Sequence, residues 1–349
     1  MRGKKIKVGI LFGGQSAEHE VSQLSTYALY TNLDKEKYSP ILIYIDRKGL
    51  WRVMDEDAFL KKDFSPTPGH SFLPWQMETV KRIDADIYFP MLHGPNGEDG
   101  KVQALLELSG KPFVGANSFA SGLAMDKVAS KLLFKNAGLN VGDFLFFENH
   151  DFLYIKKAIT EKLTYPLFIK PSAMGSSVGI TKVIREEQLK PALDLAFRYD
   201  RKILVEKALD IREIEVSVMG NDDINVSRPG ELIPHNEFYD YKDKYIDGKT
   251  TFYLPAHLDA ETEAHVRQVA GDAYKALFLN GMARVDLFIE KSTNTIFVNE
   301  ANTIPGFTEI SMFPKLWTLE GISFTELINK LIDYGFAYYE QVKNLSADL

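Results

Sequence analysis

At 349 residues the chain is long for one hydrophobic core, so two or three domains are expected. With 45% hydrophobic and 26% charged residues it has an ordinary globular composition, and its net charge of −7 argues against a general nucleic-acid binder, which needs a basic surface. The absence of cysteine excludes a disulfide framework, a thiolate nucleophile and a Cys-based zinc site.

The basic amino terminus carries an apolar run only from Val8 to Phe12, too short for a signal peptide and better read as a first strand. No run approaches transmembrane length, so the expectation is a cytoplasmic protein that does not enter a membrane. The spacing then predicts a helix over 18–33, strands at 41–45 and 86–92, a helix over 99–108 and a short strand at 112–115. Such alternation implies a doubly wound parallel sheet, whose ligands gather at the carboxyl ends of strands, where Gly13-Gly14 and His93-Gly94 fall. A helix over 118–137 leads into a second unit with strands at 144–147, 166–170, 177–183 and 202–207 and helices near 151–162 and 186–198. A third unit begins around residues 212–218 and holds helices near 259–279 and 323–343. The aromatic, charged stretch 236–251 lacks periodicity and reads as a lid or binding loop.

Within the third unit, 281–290 and 295–301 read as a hairpin. Side chains alternate along a strand, so Arg284 and Asp286 share a face, as do Glu300 and Asn302. Closure by a three-residue loop, 292–294, sets Asp286 opposite Glu300 and Arg284 opposite Asn302. Facing carboxylates repel unless something compensates, and hard oxygen ligands of this kind suit Mg²⁺ completed by phosphate oxygens. A solvated, charged sheet face is the alternative, disfavoured by neighbours rich in Val, Ile, Leu and Phe.

Other constellations are weaker alone. Lys170 and the small residues through Gly179, including Ser176 and Ser177, can cradle a phosphate, although the P-loop order is absent and a surface hairpin is the alternative. The strand end Glu206, Lys207, Ala208 and Leu209, followed by Glu213, offers groups to an adenosine, or is simply a strand with solvated ends. Glu18 either complements a helix dipole or holds a cationic substrate group. Glu98 and Asp99 read as helix caps, while His93 is a candidate substrate contact or a structural histidine. The Pro305-Gly306 turn can present the Gly306 N–H to developing negative charge, beside Arg284.

Eight motifs in order, GGQSAEHEVS (13–22), LHGPNGEDG (92–100), MDK (125–127), KPSAMGSSVG (170–179), EKAL (206–209), EFYDYKDKY (237–245), RVD (284–286) and NEANTIPGFTEIS (299–311), resemble the ATP-grasp superfamily and within it the D-alanine–D-alanine ligases. The resemblance implies a three-domain ATP-grasp architecture, mixed α/β and α+β. Its units are 1–124, 125–211 and 212–349, with the lid at 236–251. It implies ATP as co-substrate and two Mg²⁺ ions, with Mn²⁺ as a substitute, on Asp286, Glu300 and Asn302. Lys127, Lys170, Ser177 and the lid residue Lys244 match phosphate contacts, and Glu206 to Leu209 with Glu213 match the adenosine pocket. Glu18 matches the holder of the first alanine's ammonium, Ser311 that of the second's carboxylate, and Arg284 with Gly306 the oxyanion donors. Ser176 and Tyr245 match a network with Glu18, and the tyrosine favours D-alanine over D-lactate as second substrate. The resemblance also implies a homodimer. A different ATP-grasp ligase, or a nucleotide-binding regulator without catalysis, are the competing readings. The second is disfavoured because a pure binder needs none of Glu18, Ser176, Tyr245 and Arg284.

Overall fold

The computed structural model describes residues 4–65, 77–233 and 251–345. Lys244, Tyr245 and most of the expected lid therefore lie outside the described residues.

The first sheet is built from β1 (Ile6–Gly13), β2 (Tyr38–Ile45), β3 (Trp51–Met54) and β4 (Ile87–Met91), in the order β3-β2-β1-β4. The pairs β1–β2 and β1–β4 are parallel, and the edge strand β3 is antiparallel to β2. The strand expected at 112–115 is reduced to one parallel bridge between Tyr88 and Phe113. Residues 87–91 are buried on both sides, as a parallel strand covered on both faces requires. Val8, Ile10 and Phe12 meet Leu29 and Tyr30 of α1 (His19–Asn32) and Phe59 of α2 (Glu56–Leu60). Leu11 and Tyr88 meet Val80 of α3 (Met77–Arg82) and Val102 and Leu106 of α4 (Lys101–Leu108).

The expected helix over 118–137 is two helices, α5 (Ser118–Met125) and α6 (Lys127–Asn136). Asp126 breaks it: its backbone is extended, its carboxylate accepts from the Val128 and Ala129 N–H groups, and Lys202 and Ser172 bind the same carboxylate. Lys127 is thereby fixed at the first position of α6. The second sheet is antiparallel, ordered β5-β8-β6-β7, from β5 (Phe144–Phe147), β6 (Leu167–Pro171), β7 (Thr181–Val183) and β8 (Ile203–Lys207). Its core is covered by α7 (Phe152–Lys162) and α8 (Leu189–Ala196). Only 181–183 of the strand expected at 177–183 is extended, because Ser176 and Ser177 adopt left-handed backbone, φ 51° and 59°.

The third sheet comprises β9 (Ile211–Gly220), β10 (Ile224–Val226), β11 (Gly230–Ile233), β12 (Thr251–Tyr253), β13 (Gly281–Glu290) and β14 (Ile296–Asn302). Its path is β12-β11-β9-β13-β14, with β10 on β9. One face, including Val216, Val285, Leu287 and Val298, packs on α5, α6 and α9 (Ala260–Ala276). The hairpin pairs Asp286 with Glu300 and Arg284 with Asn302 as expected, but the loop is not the expected three residues. Leu287 pairs with Val298, so the turn is one residue longer, and a β-bulge at Asn299 restores the register. The bulge is decisive for orientation. Alternation counted from buried Val298 would turn Glu300 into the core; the extra residue sends Ala301 inward and leaves Glu300 and Asn302 on the opposite face.

After α10 (Met312–Leu319), α11 (Phe324–Lys343) returns to the first sheet, where Leu327, Ile328, Leu331 and Ile332 share a core with Val8, Ile87 and Phe89. Gly335 allows the approach, since a Cβ there would lie 2.7 Å from the Phe113 carbonyl oxygen. Alanine gains about 1 kcal/mol in helix propensity over glycine. Overpacking against an immobile backbone atom costs about 1–3 kcal/mol. Gly335→Ala is therefore expected to lower the denaturation midpoint despite its better propensity; an unchanged or raised midpoint would show that α11 shifts freely.

Candidate active site

The polar face of the third sheet centres on Arg284. Its Nε and Nη2 donate to the two oxygens of Asp286, each at 2.7 Å, and Nε lies 3.2 Å from Glu215 Oε2. Asp286 and Glu215 side chains are 4% exposed. Burial works against the guanidinium charge, but Asp286 and Glu215 overcome it and hold the group protonated well above its ordinary range. The Asn302 amide donates to Asp286 Oδ2 at 3.0 Å, and Glu300 meets the Lys127 ammonium at 3.2 Å. The repulsion expected between facing carboxylates is thus relieved by two flanking cations. Glu215, which completes this cluster, carries no motif, although it alternates with Glu213 and Ser217 along β9.

A cavity of about 750 Å³ opens above this face. It brings together Glu18, His93, Lys127, Arg284, Glu300 and Asn302. Ser176, Ser177, Gly306 and Ser311 complete the set of expected residues along its wall. Glu18 projects from the start of α1, and its Oε2 would lie 2.9 Å and 3.2 Å from Cβ atoms at Gly94 and Gly175, so both glycines admit the carboxylate. It makes no side-chain cap bond to the helix. Ser311 begins α10, and its Oγ accepts from the Thr308 N–H at 3.0 Å and would touch a Cβ at Gly306 at 2.9 Å.

Lys170, Glu206 to Leu209 and Glu213 are not among the residues of that wall, though Lys170 feels the charges of Glu206, Glu300 and Glu213. Lys170 is no surface lysine: its ammonium binds Glu206 Oε2 at 2.6 Å, while Lys131 binds Oε1 at 2.7 Å. Burial would raise the Glu206 carboxyl, yet the two ammonium groups hold it down at about 2. The backbone N–H groups of Lys207 and Ala208 are taken by the Asp143 and Pro166 carbonyls.

His93 is buried, with Nδ1 2.9 Å from the Ile304 carbonyl and Nε2 3.1 Å from Ser25 Oγ, which accepts from the Phe307 N–H. It braces the 304–307 turn. Glu98 does not cap α4, contrary to the sequence reading. Its Oε2 accepts from the Gly94 N–H at 2.7 Å and its Oε1 from the Ile304 N–H at 3.4 Å, joining the loops after β4 and β14. Burial first, and then the Glu18 charge, push its carboxyl up to about 8.

For a divalent cation, Asp286, Glu300 and Asn302 supply hard oxygens, and the nearby cations mark where negative charge concentrates. Among the described residues no three Asp, Glu or His side chains form a metal cage. Glu300 and Asn302 line the cavity, while both Asp286 oxygens accept from Arg284 and one also from Asn302. Hard oxygens of this kind suit Mg²⁺ completed by phosphate oxygens.

A folded-state carboxyl near 8 keeps a proton that the unfolded chain releases in the ordinary carboxylate range, so the stability it contributes is lost as pH rises between the two. Glu98→Gln should therefore gain denaturation midpoint relative to wild type from roughly pH 5 to pH 8. A pH-independent difference would contradict the assigned protonation.

Family models described as D-ala D-ala ligase N-terminus and C-terminus match residues 7–116 and 133–333. A D-alanine–D-alanine ligase of Thermoanaerobacter sp. (strain X514) is 48% identical over 95% of this chain and 96% of its own. That of Acetivibrio thermocellus is 42% identical over 97% of each. Among solved structures, VanG D-Ala:D-Ser ligase from Enterococcus faecalis is 37% identical with a TM-score of 0.87, covering 95% of this chain and 100% of its own. D-alanine-D-alanine ligase from Coxiella burnetii is 33% identical with a TM-score of 0.83, covering 98% and 97%. Sequence over nearly the whole length and the ATP-grasp architecture agree: the chain belongs to the D-alanine–D-alanine ligase family.

Proposed function

We propose that this chain is a cytoplasmic ligase that joins two D-alanines with ATP, releasing ADP and phosphate and supplying a dipeptide for peptidoglycan precursors. The observation that carries the reading is one cavity lined by the Glu18 carboxylate, the Arg284 guanidinium, Gly306, and Lys127 beside Glu300. In the first step the carboxylate of one D-alanine attacks the γ-phosphorus, the bond to ADP breaks, and an acylphosphate forms. In the second, the amine of the other D-alanine attacks that carbonyl, a proton is lost, and phosphate departs from a tetrahedral intermediate.

Glu18 holds the first alanine's ammonium, and Ser311 the second's carboxylate. Two Arg284 nitrogens are committed to Asp286, while among the described residues Nη1 has no partner; it and the Gly306 N–H receive the developing oxyanion. Lys127, Lys170 and Ser177 bind phosphates, with Lys244 from the lid, and Glu206 to Leu209 with Glu213 bind adenosine. Ser176 and Tyr245 tie the lid to Glu18. Asp286, Glu300 and Asn302 would hold two Mg²⁺ or Mn²⁺ ions, which when bound neutralise phosphoryl charge.

The relative named D-Ala:D-Ser ligase gives a second reading, in which D-serine is the acceptor. Purified protein with ATP should release phosphate with D-alanine alone and not with L-alanine; D-alanine with D-serine or D-lactate tests the acceptor. Silence with D-alanine alone, but turnover once D-serine is added, would transfer the assignment to the second reading.

Arg284→Ala is expected to lose at least about 100-fold in turnover, the scale for one oxyanion donor. Near wild-type turnover would remove Arg284 from that role.

A further inference from the structure

Lys131 takes no part in the reaction above, yet among the described residues it is one of the least accessible charges, with its side chain 3% exposed. It stands one helical turn after Lys127 on α6, and among the described residues its ammonium meets one carboxylate, Oε1 of Glu206, at 2.7 Å. Lys170 occupies the other oxygen at 2.6 Å. A buried ammonium is costly to desolvate, by several kcal/mol even after relaxation, so hydrophobic packing alone would favour another residue at 131.

The geometry has a direct electrostatic consequence. If Glu206 faced Lys170 alone, the two would close as a one-to-one ion pair, and an incoming phosphate would compete with the carboxylate for that ammonium. With Lys131 on the second oxygen, one carboxylate is shared between two cations. We infer that Lys131 is a positioning residue: through Glu206 it holds Lys170 in place while leaving the Lys170 charge available to an anion. This rests on the proposed contact between Lys170 and the phosphates of ATP.

The test compares wild type with Lys131→Met, Lys131→Arg, Glu206→Gln and the double variant Lys131→Met/Glu206→Gln, reading KM for ATP, kcat, and ADP affinity by calorimetry. Lys131→Met should raise KM and weaken ADP binding by about tenfold or more, with kcat lowered by less than about threefold. Lys131→Arg should restore binding, and the double variant should bind ADP within about threefold of Glu206→Gln. Lys170 loses its Glu206 partner in both Glu206→Gln and the double variant, so those two are compared only with each other. If Lys131→Met does not fold, Lys131→Gln, which removes the charge but keeps a donor toward Glu206, decides the matter by the same ADP affinity. Wild-type affinity in Lys131→Met overturns the inference, as does a loss from Lys131→Met that is as large in the Glu206→Gln background as in the wild-type one. A wild-type protein that binds neither ATP nor ADP would instead refute the nucleotide contact on which it rests.

Discussion

A guanidinium buried between carboxylates governs the rest of this structure. Arg284 cannot be withdrawn from water without Asp286 and Glu215, and those carboxylates cannot be buried without it. Such clusters contribute little net stability compared with apolar packing of the same volume. Their presence in the centre of an otherwise aliphatic sheet is therefore better explained by chemistry than by folding. The bulge at Asn299 serves the same end, since it keeps Glu300 and Asn302 on the face where Arg284 lies while Val298 and Ala301 fill the core.

Around that centre the three sheets contribute different kinds of group. The parallel sheet offers strand ends and close backbone approach, with Glu18 admitted by Gly94 and Gly175. The second sheet and α6 offer lysines, each held by a carboxylate: Lys127 on Glu300, Lys131 and Lys170 on Glu206. The loop after β14 offers the 304–307 turn, braced from behind by His93 and Glu98. Neither brace needs to touch a substrate to matter, because a misplaced donor loses much of its effect on a transition state.

Much of this is legible from residue order. Alternation along 281–290 and 296–302 yields the cross-strand pairs, although the expected loop is one residue short and the bulge makes up the difference. Bulges leave no local sign in a sequence whose alternation they interrupt only once. Asp126 escapes a reading of the sequence because a helical apolar pattern runs across it, while its capping partners and Lys202 are distant in sequence or hidden in the backbone. Glu98 reads as a cap because its partners are backbone N–H groups, one in its own loop at Gly94 and one at Ile304 that only the folded chain brings near. Glu215 and Lys131 carry weak signals, period-two spacing with Glu213 and a one-turn spacing from Lys127. Neither distinguishes a buried charge from a solvated one.

The packing of α11 against β1 and β4 gives the chain a circular logic. The first sheet's core contains Val8, Ile10 and Phe12 together with Leu327, Leu331 and Ile332, so α11 joins α1 and α2 in sealing β1. During synthesis the first sheet emerges long before α11, so part of its apolar face waits for that helix. Removing α11 would therefore leave the side of the first sheet that α1 and α2 share with it only partly covered, exposing Val8, Ile87 and Phe89 to aggregation.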